Sequence, residues 1–391
     1  MTTRTLNPIF ANRPVTIFQV MSGLANEAGA INLGQGFPDE DGPRAILEAA
    51  ADAILTRQNQ YAPVAGVPEL REAVARANKR FQGLDVDWKS ETLVVAGATE
   101  GLAACFFGFL KPGDEAVIFA PFYDSYLPVI EATGASARIV HLEPPSWRIT
   151  AAALDAAITP ATRLIVVNSP HNPSGSVISD AELQLLADRA IAHDLIAVCD
   201  EVYEHLVFDG RPHRSLMTLK GMRERTVRIG SAGKTFSLTG WRIGYMTGPE
   251  RLITGAMKAH QFLTYTSPPN FQHAVALGLD FPDAYYADFV SGMQKKRDLL
   301  REGLLSAGFD VQRCAGTYFM TVDIGSVGYK GDDMAFCRDI TLNAKVCAVP
   351  VSAFYPQSDE QAPRRYARFC FCKKREVLEE ASARLKRYFN G

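Results

Sequence analysis

Short, largely apolar runs at 92–96, 116–119, 164–167, 195–199 and 226–230 constrain this chain more than any other feature. They are too short for helices and do not alternate polar with apolar residues along their length. Strands of that kind need cover on both faces, as in a mostly parallel sheet wrapped by helices. Helical stretches at 44–57, 68–81 and 180–193, and one running from the Gly97 turn to Leu110, supply the cover. Repeated strand–helix units predict a doubly wound α/β domain. The last third reads differently. A long helix at 283–307 stops at Gly308, and strands at 318–323, 346–349 and 366–371 mix with helices at 332–343 and 375–388, a smaller α+β unit. A chain of 391 residues exceeds what one core usually holds. The expected division is a large α/β domain over 45–281 and a small domain built from 1–44 and 282–391.

Composition excludes several classes. Hydrophobic residues are 47% and charged residues 21%, which argues against disorder. Lys plus Arg is 41 and Asp plus Glu 43, so no basic excess points to nucleic acid or an anionic membrane. The longest apolar stretch, 102–110, is interrupted by Gly108 and too short to cross a bilayer. The first eight residues lack the apolar segment of a secretory signal, so a cytoplasmic location is expected. Seven cysteines are spread from Cys105 to Cys372 without a Cys-x-x-Cys pair. They read as packed thiols in a reducing compartment rather than disulfides or metal ligands. Cys370 and Cys372, two apart, would share one face of a strand.

In an open α/β sheet, ligands bind beyond the carboxyl ends of the strands. The residues following those ends are Gly97-Ala98-Thr99, then Asn168 through Gly175, then Asp200 with Tyr203, then Ser231-Ala-Gly-Lys234 with Arg242 beyond. A lysine in a small-residue turn can form a Schiff base with a carbonyl. Ser231, Arg242 and the helix start at Ala98 and Thr99 can hold a phosphate. A carboxylate at the end of a buried strand makes sense opposite a cation such as a protonated pyridine. Aldehyde, phosphate and pyridinium together describe pyridoxal 5′-phosphate.

These residues resemble a known family, the fold-type I, class I aminotransferases. The resemblance rests on Asn168-Ser-Pro-His-Asn172-Pro-Ser-Gly175, Asp200-Glu-Val-Tyr203, Ser231-Ala-Gly-Lys234-Thr-Phe-Ser-Leu-Thr-Gly-Trp-Arg242-Ile-Gly244 and Arg368-Phe-Cys-Phe, and extends from Asn32-Leu-Gly-Gln-Gly36-Phe-Pro-Asp39 to the final helix. Within the class, the chain is similar to the kynurenine, glutamine and methionine aminotransferases and to the N-succinyldiaminopimelate aminotransferases. The resemblance implies a ping-pong transfer of an amino group from an L-amino acid to a 2-oxo acid, 2-oxoglutarate or pyruvate, through an aldimine at Lys234. It implies that Lys234 is also the base and that Asp200 pairs with the pyridine nitrogen. Asn172 and Tyr203 would bond the phenolic oxygen, with Tyr123 stacked on the ring. Ala98, Thr99, Ser231 and Arg242 would hold the phosphate. It further implies a homodimer with Tyr61 reaching the phosphate of the neighbouring subunit. Arg368 would grip the substrate α-carboxylate, and Gly36 and Phe18 would line the substrate mouth. Phe18 stands where the kynurenine enzymes carry Trp. Arg364, Arg365 and Arg375 compete with Arg368 by proximity; Arg368 is preferred because it immediately precedes Phe-Cys-Phe.

Sharper rivals fail on spacing. Gly233-Lys234-Thr235 resembles the end of a P-loop, but the required first glycine is Arg228. Gly34-Gln35-Gly36 opens like a dinucleotide fingerprint, but its third glycine is Asp39. Ser231-x-x-Lys234 fits a serine acyl-enzyme, which also needs a later Lys-Thr-Gly that the chain lacks. A β-lyase acting on cysteine conjugates shares the carbanion chemistry and is the other alternative.

Overall fold

The computed structural model describes residues 5–391; the first four residues, part of the expected 1–44 segment and of the N-terminal stretch read for a secretory signal, lie outside them. Among the described residues, thirteen strands form three sheets. Strand β1 is Ile31–Asn32. The large sheet takes β2 (Thr92–Val95), β3 (Glu115–Ala120), β4 (Ser136–His141), β5 (Thr162–Asn168), β6 (Ile196–Asp200), β7 (Thr226–Ser231) and β8 (Gly244–Thr247). The C-terminal part carries β9 (Asp310–Val311), β10 (Phe319–Asp323), β11 (Val346–Cys347), β12 (Val349–Pro350) and β13 (Tyr366–Cys370).

The large sheet has the order β2-β8-β7-β6-β5-β3-β4. Only β8 runs against its neighbours, so the carboxyl ends of β2, β5, β6 and β7 lie along one edge. Register does the rest. Asn168 lies beside Asp200, and Ser231 lies beside Gly244, which in turn pairs with Val95. The polar residues that end these apolar strands therefore form one row. The central strands are buried along most of their length because helices cover both faces. This is the fold-type I α/β architecture.

Two strands of this sheet escape a search for apolar runs. β4 is an edge strand, half covered, whose residues Ser136 through His141 mix polar with apolar. β8 opens on Gly244 and holds four residues. Two readings need correction. The stretch 346–349 is not one strand: β11 pairs with β1, whereas β12 joins the edge of the β13–β10–β9 sheet. The helix over 332–343 is α-helical from Asp333 to Asp339 and closes with a π-turn, Ile340–Ala344. The long helix Asp283–Ser306 ends as expected, with Gly308 in the left-handed region at φ +96° just past the cap.

Three apolar cores hold the molecule. The largest packs the main sheet against its helices. A second joins Phe309, Phe336, Phe369, Leu378 and Leu385 of the C-terminal part to Met21 and Leu33, and also takes in Tyr203 and Leu206 from the segment after β6. A third seats Ile46 and Leu70 against Phe236 and Leu279. The second core ties the C-terminal sheet directly to the strand edge that presents Asp200. All seven cysteines are buried and unpaired, with the Cys370 and Cys372 sulfurs 3.1 Å apart. Among the described residues, no helix is long and apolar enough to cross a membrane, and no three metal-ligating side chains cluster.

Candidate active site

Lys234 does not sit in an open turn. It lies in the four-residue helix Ala232–Thr235 that follows β7 without a break. Its amine donates to the Tyr318 hydroxyl at 2.8 Å. Burial holds the lysine below its ordinary range; Arg242 adds to this, while Cys372, Cys370 and Asp200 favour the charged form. Burial, rather than Arg242, is thus the main cause. Ser231 makes no hydrogen bond to Lys234, so the geometry of a serine–lysine pair is absent among the described residues.

Asp200 ends β6 and is 5% exposed. One carboxylate oxygen accepts from the Tyr126 hydroxyl at 2.5 Å, and the other from the Val202 N–H at 3.4 Å. Burial pushes its carboxyl up, against Tyr126, Val202 and Lys234. A buried carboxyl whose hydrogen-bond partners are neutral is electrostatically suited to a cationic ligand atom. Asn168, next to Asp200 in the sheet, bonds the Asp200 carbonyl with its amide and accepts from the Asn172 N–H at 2.9 Å. That fixes the Asn172 loop. Tyr203, buried beyond β6, packs edge-on against Tyr318.

The helix Ala98–Phe109 opens at Gly97, whose φ is +79°. A Cβ at Gly97 would fall 2.4 Å from Arg242 Nη2, so glycine is what lets the guanidinium lie over this helix start. The first N–H groups of a helix have no partner within it. Ala98, Thr99, Ser231 and Arg242 therefore form a cradle of donors suited to a phosphate. The Thr99 hydroxyl and the Tyr123 phenol are 3.3 Å apart, which sets Tyr123 over the same opening.

Arg368, in β13, is 1% exposed. Its two terminal nitrogens donate to Asn172 Oδ1 at 2.8 Å and to the Gly34 carbonyl at 2.6 Å. Its guanidinium lies 3.8 Å from the Phe319 ring centre, 4.9 Å from Phe354 and 5.3 Å from Phe18. Its Nε is buried without a partner, and burial lowers the group to about 10. A guanidinium held among rings with a donor to spare suits an incoming carboxylate. Of the competing arginines, Arg365 pairs with Asp323 and Arg375 with Glu379, and both arginine side chains are exposed. Gly36 packs so closely that a Cβ there would fall 2.4 Å from Phe319 Cζ.

The structure thus brings together Lys234, Asp200, Tyr203, Asn172, Tyr123, Thr99, Ala98, Ser231, Arg242, Arg368, Gly36 and Phe18. Tyr61 stands apart, 83% exposed and edge-on to Tyr265 at 5.3 Å. Sequence reasoning missed Tyr126, Tyr318 and Phe354. Tyr126 lies three residues after Tyr123 on a helix that carries no motif, and only contact with Asp200 reveals it. His171 is buried and His205 half-buried, and burial lowers each to about 4, favouring the neutral ring. His171 bridges Ser174 and the Pro121 carbonyl, tying the Asn172 loop to the segment that carries Tyr123.

Known proteins resemble this chain in sequence and fold. Residues 28–385 match the family Aminotransferase class I and II. The chain is 45% identical over 378 residues to a probable N-succinyldiaminopimelate aminotransferase of Mycobacterium tuberculosis, covering 95% of each chain. It is 38% identical to the methionine aminotransferase of Escherichia coli, again over 95% of each. Among solved structures, the N-succinyldiaminopimelate aminotransferase of M. tuberculosis superposes with a TM-score of 0.94 at 44% identity, covering 98% of this chain and 99% of that one. A Thermus thermophilus aspartate aminotransferase variant superposes with a TM-score of 0.90 at 31% identity, covering 98% and 100%. By sequence and by fold, this chain belongs to the class I and II aminotransferases, whose members use pyridoxal phosphate.

Proposed function

We propose that the chain moves the amino group of an L-amino acid to 2-oxoglutarate or pyruvate in a ping-pong cycle, with pyridoxal 5′-phosphate attached at Lys234. The observation that carries this reading is a partly buried lysine amine on the same sheet edge as a buried carboxyl and a cationic phosphate cradle. When bound, the cofactor supplies an aldehyde that captures the amine and a ring that accepts the electrons of the α-carbon.

The chain's own residues do the rest. Ala98, Thr99, Ser231 and Arg242 bind the phosphate. Asp200 would hold a proton on the ring nitrogen, with Tyr126 steadying that carboxylate; Asn172 and Tyr203 would bond the ring oxygen, and Tyr123 would cover the ring. Arg368 binds the α-carboxylate and so orients the α C–H. Lys234, as a neutral amine, would take that proton, and its burial favours the neutral form. Phe18, Phe319 and Phe354 exclude water around the carboxylate, and Gly36 leaves the mouth open.

The 45% relative makes N-succinyldiaminopimelate the first donor to assay, with methionine, glutamine, kynurenine and other aromatic amino acids beside it. A division into a large domain over 45–281 and a small one from 1–44 and 282–391 is proposed as well, the second core being built mostly from the small part and reaching Tyr203 and Leu206 of the large one. A homodimer accounts for the exposure of Tyr61, which would reach the phosphate of a second copy. Unpaired thiols fit a cytoplasmic setting. The test is product formation: purified protein, pyridoxal phosphate, a donor panel and each acceptor, with glutamate or alanine quantified. Stoichiometric amino transfer from at least one donor supports the reading; no transfer from any donor contradicts it.

A further inference from the structure

Tyr318 makes contacts that the roles above leave unused. It is 1% exposed and immediately precedes β10. Its hydroxyl donates to the Gly36 carbonyl at 2.7 Å and accepts from Lys234 Nζ at 2.8 Å. A phenol has one proton. With that proton given to Gly36, the oxygen can meet Lys234 only as an acceptor. The direction of the second bond is thereby set by the first.

The ring has little freedom. It packs edge-on against Tyr203 at 5.2 Å and against Phe319 at 4.8 Å. Its backbone carbonyl accepts from the Phe371 N–H, and the N–H of the preceding residue, Thr317, donates to the Leu206 carbonyl. The Gly36 carbonyl is equally fixed, because any side chain at 36 would collide with Phe319 and Tyr318. Three distant stretches of chain thus converge on one amine: the N-terminal segment through Gly36, β10 through Tyr318, and the end of β7 through Lys234.

We propose that Tyr318 is the positioning residue for Lys234: its oxygen, its proton committed to Gly36, takes one amine hydrogen and so aims the nitrogen lone pair at the substrate α-carbon. This rests on the assignment of Lys234 as the cofactor-bearing lysine and base. A flexible four-carbon side chain loses its reach if it rotates, and alignment of a base is worth orders of magnitude in rate. The acceptor also favours the protonated nitrogen, so removing it lowers the basicity of Nζ.

The test compares wild-type holoenzyme with Tyr318→Phe, which keeps the ring and removes the oxygen. The expected result is a kcat lower by ~10–100-fold with KM for the donor within ~3-fold. The isotope effect on kcat with α-deuterated donor rises, because proton removal becomes rate-limiting. The pH midpoint of the bound cofactor's absorbance falls. If Tyr318→Phe does not fold, 3-fluorotyrosine at 318 keeps the hydroxyl as a weaker acceptor and must lower the same midpoint. A kcat within twofold of wild type overturns the proposal. So does a lower kcat with unchanged isotope effect and midpoint, which makes Tyr318 a packing residue. Borohydride reduction of the wild type separates this from the parent reading. Without cofactor fixed on the peptide holding residue 234, the lysine assignment fails; with it fixed and Tyr318 silent, only this proposal fails.

Discussion

Asp200 and Arg368 are buried and Lys234 partly so, and burial disfavours the charge on each. It lowers the lysine, raises the aspartate and brings the arginine to about 10. For Lys234, that shift favours the neutral amine. For Asp200 and Arg368, it makes a charged ligand group of opposite sign the natural partner. Asp200→Ala is expected to cut kcat by ~100-fold or more while shifting Tm by only a few degrees, since the residue tunes the cofactor rather than the core; steady-state kinetics beside thermal melts check both halves. Arg368→Ala should raise KM for α-amino acids by ~10–100-fold. If amines without a carboxylate lose as much, Arg368 is not the carboxylate clamp. At this scale the sequence was readable where function leaves a motif, as around Lys234, and silent where a residue acts by reaching across. Tyr126 and Tyr318 meet Asp200 and Lys234 from 74 and 84 positions away, a separation that no local pattern encodes.

The phosphate cradle depends on how elements meet rather than on any one donor. β2 delivers a helix start, β7 delivers Ser231, and Arg242 returns over Gly97 because that residue has no side chain. Gly97→Ala places a Cβ in a left-handed backbone position and against the guanidinium, at a strain of ~1–3 kcal/mol. Cofactor affinity measured by absorbance titration should weaken by ~10-fold or more, while the Lys234 attachment chemistry survives at saturating cofactor. Unchanged affinity would mean the cradle lies elsewhere. The buried central strands announce themselves in the sequence as apolar runs, because both of their faces are covered. β4 does not, because an edge strand carries polar residues on its open side. The break at Ala348 was hidden for another reason: residues 346–350 are uniformly apolar, and a change of sheet partner leaves no mark in such a run.

The whole molecule carries its own pH signature. His171 and His205 are neutral in the fold, at about 4, against about 6.5 in an unfolded chain. Their stabilisation is full above the unfolded value and is lost as pH falls from there toward 4. Asp333, raised to about 6, acts in the opposite sense, favouring the fold as pH drops below that value. Two histidines outweigh one carboxyl, so unfolding free energy should fall by roughly 2–3 kcal/mol between pH 7 and pH 5. Denaturant titrations at the two pH values measure it, and equal stabilities would contradict the buried neutral state. Assembly belongs to this scale too. Tyr61, Leu55 and Phe262 are each more than 80% exposed, which is unusual for large apolar side chains and fits cover by a second copy. Tyr61→Phe should weaken cofactor affinity only where sedimentation finds the dimer.

The account stands most directly on where the cofactor attaches. Purified protein loaded with pyridoxal phosphate is reduced with borohydride, digested and mapped by mass spectrometry, beside Lys234→Ala treated in the same way. The account predicts one reduced cofactor on the peptide containing residue 234, none in the variant, and no amino transfer by the variant. Cofactor fixed on a different lysine, or normal turnover by Lys234→Ala, would contradict it.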